Sequence, residues 1–396
     1  MNDKTAHSEP HWQVHFACAA DKTEFCADLQ QLGIISHQIK LNDASFDRFV
    51  AELQPEVVFY DRFISEEQYA PRVYENCHKA INILDTQDLH FLRRARQKAL
   101  NESQQTINLQ SEDAIREVAA ILRCDLSLII SSYEMRLLVQ HFKIVPELLH
   151  YCPFMLTTDE HLYQPSYEQR EHFVMIGNFL HPPNWDAVLW CYQSIWPLIQ
   201  QQLPHAQIHV YGAYPSDKVR QLHQPDKGFY IKGRAQDAIK TLAQYRVNLA
   251  PLRFGAGIKG KIADGFIART PCVTTEIGQE GMADNLPWGG LVADNVNDDR
   301  QIAQYAIELY QNASLWRQCS QQGYQVIQQQ FNETQHANAL IKKLHELKNN
   351  LSEHRSNNFY GQILRHHIYR SQYFMSKWIE EKNKKSKNQS SLQSHS

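Results

Sequence analysis

The stretch APLRFGAGIKGKIADGFIARTPCVTT, Ala250 to Thr275, joins an apolar strand end to a helix through a glycine-spaced turn that carries two lysines. Gly255, Gly257 and Gly260 tolerate backbone angles that other residues avoid and let a ligand approach main-chain N–H groups. Amides at a helix start, together with the positive end of the helix dipole, favour phosphate. Lys259 and Lys261 add mobile positive charge, and Arg253 adds a planar donor fork. Such a corner suits a diphosphate. Glycines also build plain strand-to-helix turns with solvated lysines beside them, so local chemistry alone leaves both readings open. The G-K-[ST] ending of a nucleoside-triphosphate loop is missing, and no G-x-G-x-x-G opens the first unit. Triphosphatase and dehydrogenase chemistry are therefore set aside.

A second chemically capable stretch is NILDTQDLHFLRRARQ in the first half. Asp85 and Asp88 follow a strand, where a cleft-facing loop is expected, and His90 comes two residues later. A carboxylate or imidazole there can orient or deprotonate a hydroxyl. Helix capping by Asp88 and a turn role for Asp85 are the competing readings. YDRFISEEQY also ends a strand, so Asp61, Arg62, Glu66 and Glu67 are candidates for the same cleft, with helix N-terminal charge as the alternative.

Both stretches need a scaffold that delivers strand ends to one edge. Short β-rich runs alternate with helical patterns almost throughout, the signature of parallel sheets built from strand-helix-strand units. In the first half the strands are WQVHFACAA, SHQIKLN, EVVFYDRF, AINILDT and LSLIISS, with helices expected over Asp21–Leu32, Phe46–Leu53, Glu66–Cys77 and Glu112–Leu122. The second series is HFVMIGNF, QIHVYGAY, GFYIKGRA, VNLAPLRF, PCVTTEI and GGLVADN, with helices over Asn184–Gln202, Gln236–Tyr245, Lys261–Ala268 and Asp298–Tyr310. The chain of 396 residues exceeds one ordinary core. It divides into a first domain over 1–156, a polar linker over 157–170, a second domain over 171–331, helices over 332–380 and a tail over 381–396 expected to be disordered for want of apolar anchors.

Forty basic against forty-three acidic side chains leave a formal charge of −3, so no global field recruits nucleic acid, and any anion must be held locally. The eight cysteines are scattered without a C-x-x-C pair, which reads as reduced core residues of a cytoplasmic protein and argues against a cysteine zinc site. No run approaches the roughly 18 apolar residues of a membrane span.

Taken in order, FVMIGNFLHPPNWDAVLW, IHVYGAY, YIKGRAQD and NLAPLRFGAGIKGKIADGFIARTPCVTTEIGQEGM resemble the donor domain of GT-B glycosyltransferases, especially family-4-like enzymes of glycosyl transferases group 1, over roughly Phe173 to Phe331. The resemblance implies an α/β fold of two Rossmann-like doubly wound domains facing across a cleft, with C-terminal helices returning to the first domain. It implies a nucleotide-diphosphate sugar as co-substrate in the second domain, no metal and no other cofactor, and configuration-retaining transfer of a hexose to a hydroxyl acceptor shaped by the first domain. Dipoles and basic side chains would stabilise the leaving diphosphate in place of a divalent ion.

Carried over residue by residue, the resemblance gives Gly177 and Asn178 at the first strand end, where many members have Gly-Arg. Gly233 and Arg234 would line the nucleobase pocket, and Gly255, the backbone of Gly257 and Ile258, and Lys259 or Lys261 would meet the donor. Asp264 would hold the ribose in place of the family's second glutamate. The first of that pair falls on Ala256, which leaves the sugar-recognising carboxylate without a counterpart. Gly278, Glu280 and Gly281 in EIGQEGM would lie near sugar and diphosphate. Family members commonly begin with a further apolar strand and glycine-rich loop, so the first domain is expected to lack its first strand.

The segment 359–387 sets aromatic and aliphatic residues at near-helical spacing among basic ones, which suits either packing on its own protein or a peripheral contact with anionic lipid on the inner membrane face. The function so read is sugar transfer from a nucleotide-diphosphate donor, metal-independent, in polysaccharide or glycoconjugate assembly. A nucleotide-sugar 2-epimerase of the same fold and a non-catalytic scaffold or partner subunit are the rivals.

Overall fold

In a computed structural model, the structure describes residues 12–21, 26–158 and 164–393. The first domain runs β1 (His15–Cys18), β2 (Ile35–Gln38), α1 (Ala44–Leu53), β3 (Val57–Asp61), α2 (Arg62–Asn76), β4 (Ile81–Asp85), α3 (His90–Asn101), α4 (Glu112–Arg123), β5 (Leu126–Ile129), α5 (Ser132–Gln140) and β6 (Leu149–Tyr151). Strands β3-β4-β5-β6 form one parallel sheet in chain order, and β1-β2 form a separate parallel pair with no ladder to it. β5 is buried at every position, as a strand covered on both faces must be. The helix expected over Asp21–Leu32 does not form in its described part, where residues 26–32 make turns; residues 22–25 lie outside the described set. β6 was not read from the sequence, since three residues after a proline turn give too short a pattern.

The second domain runs β7 (Glu171–Ile176), α6 (Pro182–Trp190), α7 (Trp196–Gln202), β8 (Ile208–Tyr211), α8 (Asp217–Arg220), β9 (Phe229–Gly233), α9 (Ala238–Leu242), β10 (Tyr245–Ala250), α10 (Gly260–Ile267), β11 (Cys272–Thr275), α11 (Glu276–Gln279), β12 (Gly290–Ala293), α12 (Asp299–Gln311) and α13 (Ala313–Gln330). Its parallel sheet has the order β12-β11-β10-β7-β8-β9. The chain starts in the middle at β7, winds outward, then returns to β10 and winds the other way. The reversal between β7 and β10 opens a crevice at their carboxyl ends, where ligands of such sheets bind.

Three further helices complete the chain: α14 (Glu333–Asn357), α15 (Phe359–Leu364) and α16 (Arg370–Gln393), the last two joined by a π-helical turn. α14 crosses back to the first domain, where Leu344 and Leu347 cover Ile81, Ile83, Leu126 and Leu128 of β4 and β5. Arg355 then grips the Asp125 carboxylate at 2.8 and 2.7 Å and the carbonyls of His78 and Ala80. Arg72 donates to Ser376 and Glu380 of α16. The tail expected to be disordered from 381 instead continues α16 as helix to Gln393, an extension seeded by the anchored turns at Ser376 and Glu380.

A buried cluster ties α2, α4 and the returning helices together. Arg123 pairs with Glu66, whose Oε1 also accepts from the Tyr369 hydroxyl at 2.6 Å, all three side chains being almost wholly buried. Removing one partner of a buried pair strands the other's charge. Arg123→Ala should therefore lower stability by about 3–5 kcal/mol, seen as an earlier thermal transition of the first domain, whereas an exposed pair such as Lys348–Glu56 should show almost no change when broken.

Candidate functional site

At the switch point, the loop after β7 and the start of α10 come together around Lys261. Its Nζ donates to Asn184 Oδ1 at 2.6 Å, and Asn184 Nδ2 donates to the Asn178 carbonyl at 2.9 Å. A Cβ added to Gly177 would stand 2.7 Å from Asn184 Nδ2 and 3.0 Å from Lys261 Nζ, so the absence of a side chain there keeps this corner open. Burial pushes Lys261 down from 10.5 to about 8. Among the described residues no carboxylate pairs with it. Lys259, the residue before α10, gives the helix no side-chain cap, and its carbonyl accepts from the N–H groups of Ile262 and Ala263, so among the first-turn amides those of Gly260 and Lys261 have no side-chain cap. Asn184 was not singled out from the sequence, because only the fold brings the start of α6 to the start of α10.

Lys259 behaves differently. It is buried, its Nζ donates to the Gly257 carbonyl at 2.8 Å, and burial pushes it down to about 8 despite nearby Glu280 and Glu134. Its charge belongs to a seam between the domains and not to the open corner. Gly257 sits at φ +63°, and its N–H, expected to face a donor, is taken at 2.7 Å by Glu134 Oε1 from α5. Ile258 is buried in an apolar cluster with Ile262 and Met282. The Gly255 carbonyl accepts from Arg96 of α3 at 2.8 Å, and Arg96 also forms a two-pronged pair with Glu280 at 2.8 and 2.7 Å. Glu280 is thus paired across the seam with the first domain. Gly278 is packed against Thr274 inside its turn, and Gly281, at φ +71°, is pressed against Ser131 of the first domain.

Asp264 lies one turn further along α10. Burial, reinforced by neighbouring Asp237, raises its carboxyl from 3.8 to about 6. Asp237 itself caps α9 by accepting from the Lys240 N–H. Gly233, at φ +74° with open space around it, ends β9, and Arg234 follows it at the exposed surface. Arg253, expected to meet the diphosphate, is instead held by Asp186 at 2.9 Å and lies over the Trp190 ring. The Nε–Nη2 edge of its fork is taken by that carboxylate.

On the first-domain side, Asp88 accepts from Arg93 at 2.7 Å and stands 3.1 Å from His90 Nε2. His90 is buried against the Phe63 ring, and desolvation outweighs the attraction of Asp88 to hold it below the usual histidine range. Across the crevice, desolvation and Arg93 likewise lower His181, the residue before α6. Asp85 accepts from the Gln87 backbone and side chain, and burial, with Asp61 nearby, raises it. Asp61 and Arg62 form an exposed pair at the end of β3, with Arg62 at φ +67°. Glu66 and Glu67 correct the expectation that they line the cleft: the helix turns them inward to Arg123 and sideways to Arg116.

Among the described residues no cluster of three or more histidine, cysteine, aspartate or glutamate side chains is placed to hold a metal, and no helix is long and apolar enough to cross a membrane. No curated protein matches the sequence. Several solved structures share its architecture. A TarM variant from S. aureus, in complex with Fondaparinux, alpha-GlcNAc-glycerol and UDP, superposes with a TM-score of 0.59 at 12% identity, over 76% of this chain and 58% of that one. This chain thus spans less than two thirds of TarM. Alr3699/HepE of Anabaena, in complex with UDP and glucose, gives 0.62 at 12% identity over 84% and 91%, and sucrose-phosphate synthase of Thermosynechococcus elongatus gives 0.57 at 15% over 76% of each. Residues 170–312 match the family model described as Glycosyl transferases group 1, and this interval contains the switch-point crevice, Lys261 and Asp264. The second domain thus resembles glycosyl transferases group 1 over residues 170–312, in a chain with the two-domain fold of the structures it is similar to.

Proposed function

We propose that this chain transfers a hexose from a nucleoside-diphosphate donor to a hydroxyl acceptor, with retention and without a divalent metal, in the assembly of a polysaccharide or glycoconjugate. The observation that carries this reading is Lys261: a desolvated ammonium with no carboxylate partner among the described residues, beside uncapped helix amides at the switch point. A group of that kind is stabilised by an incoming anion. The complexes of TarM and HepE with UDP support a nucleoside diphosphate as that anion.

In this reading Lys261, the first amides of α10 and Asn184 hold the diphosphate and stabilise it as it leaves. Asp264 accepts from the ribose hydroxyls, and Gly233 and Arg234 border the base. His90, kept neutral at pH 7 by burial, takes a proton from the acceptor hydroxyl, and Asp88 at 3.1 Å stabilises the resulting imidazolium. Asp85 lines the acceptor approach.

The acceptor side bears on location. The helices from Phe359 onward bury Gly361, Tyr369, Ser376 and Glu380 on the first domain, and leave Tyr360, Phe374 and Trp378 each more than 60% exposed on the opposite face, with Arg370 and Lys382 among them. Packing on the protein and contact with lipid are thus served by different faces of one helix. These exposed side chains support our reading of a cytoplasmic protein resting on anionic lipid.

Three outcomes test the proposal. Calorimetric titration with UDP, GDP and their sugars should show one to bind; binding of none would overturn the reading, and conversion of donor without acceptor would reassign it to epimerisation. Turnover should persist in EDTA. Lys261→Ala should weaken donor binding about 10- to 100-fold, as loss of a charged hydrogen bond implies, with no loss of thermal stability.

Asp264→Asn should separate binding from stability. The folded chain keeps a proton on Asp264 between pH 4 and 6 that the unfolded chain has released, so the charge destabilises increasingly through that window and constantly above about pH 6. The variant should melt a few degrees higher at pH 7, show no gain near about pH 3.5, and bind donor more weakly. Finally, cosedimentation with phosphatidylglycerol vesicles should exceed that with phosphatidylcholine vesicles and fall in Phe374→Ser/Trp378→Ser.

A further inference from the structure

The Gly255–Gly257 backbone is held by side chains of the opposite domain. Glu134 is wholly buried, and its Oε1 accepts from two N–H groups on different domains: Leu89 at 3.1 Å, in the loop that carries Asp88 and His90, and Gly257 at 2.7 Å, in the loop that precedes α10. Its Oε2 has no hydrogen-bond partner. Arg96 reaches the Gly255 carbonyl at 2.8 Å while its fork holds Glu280, and the ring of Tyr133 lies 5.3 Å from its guanidinium. Gly257 is pressed so closely to the first domain that a Cβ there would stand 2.9 Å from Asp88 Cβ and 3.3 Å from the Gln87 carbonyl.

Buried charge in an interdomain seam is a poor source of stability, because desolvation offsets most of the attraction. What this arrangement supplies is geometry. A single carboxylate oxygen fixes the distance between the loop assigned to the acceptor and the loop assigned to the donor. We propose that Glu134 is a positioning residue that staples the Asp88–His90 loop to the Gly255–Lys261 loop, with Arg96 as its second prong, so that neither half of the site is set until the domains meet.

The inference rests on the sugar-transfer reading and makes a separate demand on it. Glu134 touches neither reacting group, so its removal acts through both loops. Burial raises its carboxyl well above the usual carboxylate range, and a glutamine, which keeps an acceptor oxygen, is a close mimic.

The test measures donor binding by calorimetry and steady-state kinetics for wild type, Glu134→Ala, Glu134→Gln and Gly257→Ala, using whichever nucleotide sugar binds the wild type. Glu134→Ala should weaken donor binding about tenfold, the effect of leaving a buried N–H unpaired, and should also lower kcat, since His90 is displaced at saturating donor. Gly257→Ala, which pushes the loops apart without touching the carboxylate, should reproduce both effects. Glu134→Gln should restore both to within about threefold of wild type. A lower melting temperature in Glu134→Ala with unchanged donor affinity and kcat would overturn the staple and leave the proposed function standing. Equal losses in Glu134→Ala and Glu134→Gln would also overturn it. A wild type that binds no nucleotide sugar would overturn the underlying reading and the staple with it.

Discussion

An ammonium taken out of water without a carboxylate beside it is costly, and the surroundings of Lys261 show how a fold sustains one. The β7 and β10 strands end side by side because the sheet is wound outward from its centre in both directions. That winding leaves a gap into which the start of α6 delivers Asn184 and the start of α10 delivers Lys261. A neutral amide oxygen holds the cation in place without quenching it. Replacing Asn184 by a carboxylate would offset the desolvation by neutralising the cation, which the amide does not do.

The neighbouring lysine shows the opposite solution. Lys259 lies two residues away, yet its charge is absorbed by the Gly257 carbonyl and the nearby carboxylates of Glu134 and Glu280. Two cations in one loop thus have different partners: one is held by a neutral amide at the switch point, the other is fixed in the seam where the domains touch. The distinction follows from which way each side chain leaves the turn.

Much of this was legible in the sequence. Alternating strand and helix patterns gave the parallel strand-helix scheme of both domains, and the glycine spacing before IKGKIAD marked the turn from β10 to α10, because backbone permissiveness leaves a local signature. Side-chain direction left none. Glu66 follows a strand end just as Asp61 does, but one helical turn sends it inward to Arg123 and Tyr369. Arg253 looked as available as Lys261 until Asp186 closed on it. Glu134, Arg96 and Asn184 carry no local signal at all; their roles arise from contacts across 45 to 184 positions of sequence. Likewise the polar residues after 381 lack an apolar stripe, yet extend a helix whose earlier turns are already anchored.

The two crossings between the domains run side by side. The chain leaves the first domain at Leu156 and comes back at Asn332, and these two residues form a parallel bridge, with the Leu156 N–H donating 2.8 Å to the Phe331 carbonyl. Outgoing and returning strands of the tether are therefore stitched at one spot. A joint crossed twice at one place gives both lobes a common anchor, so neither crossing can shift without carrying the other.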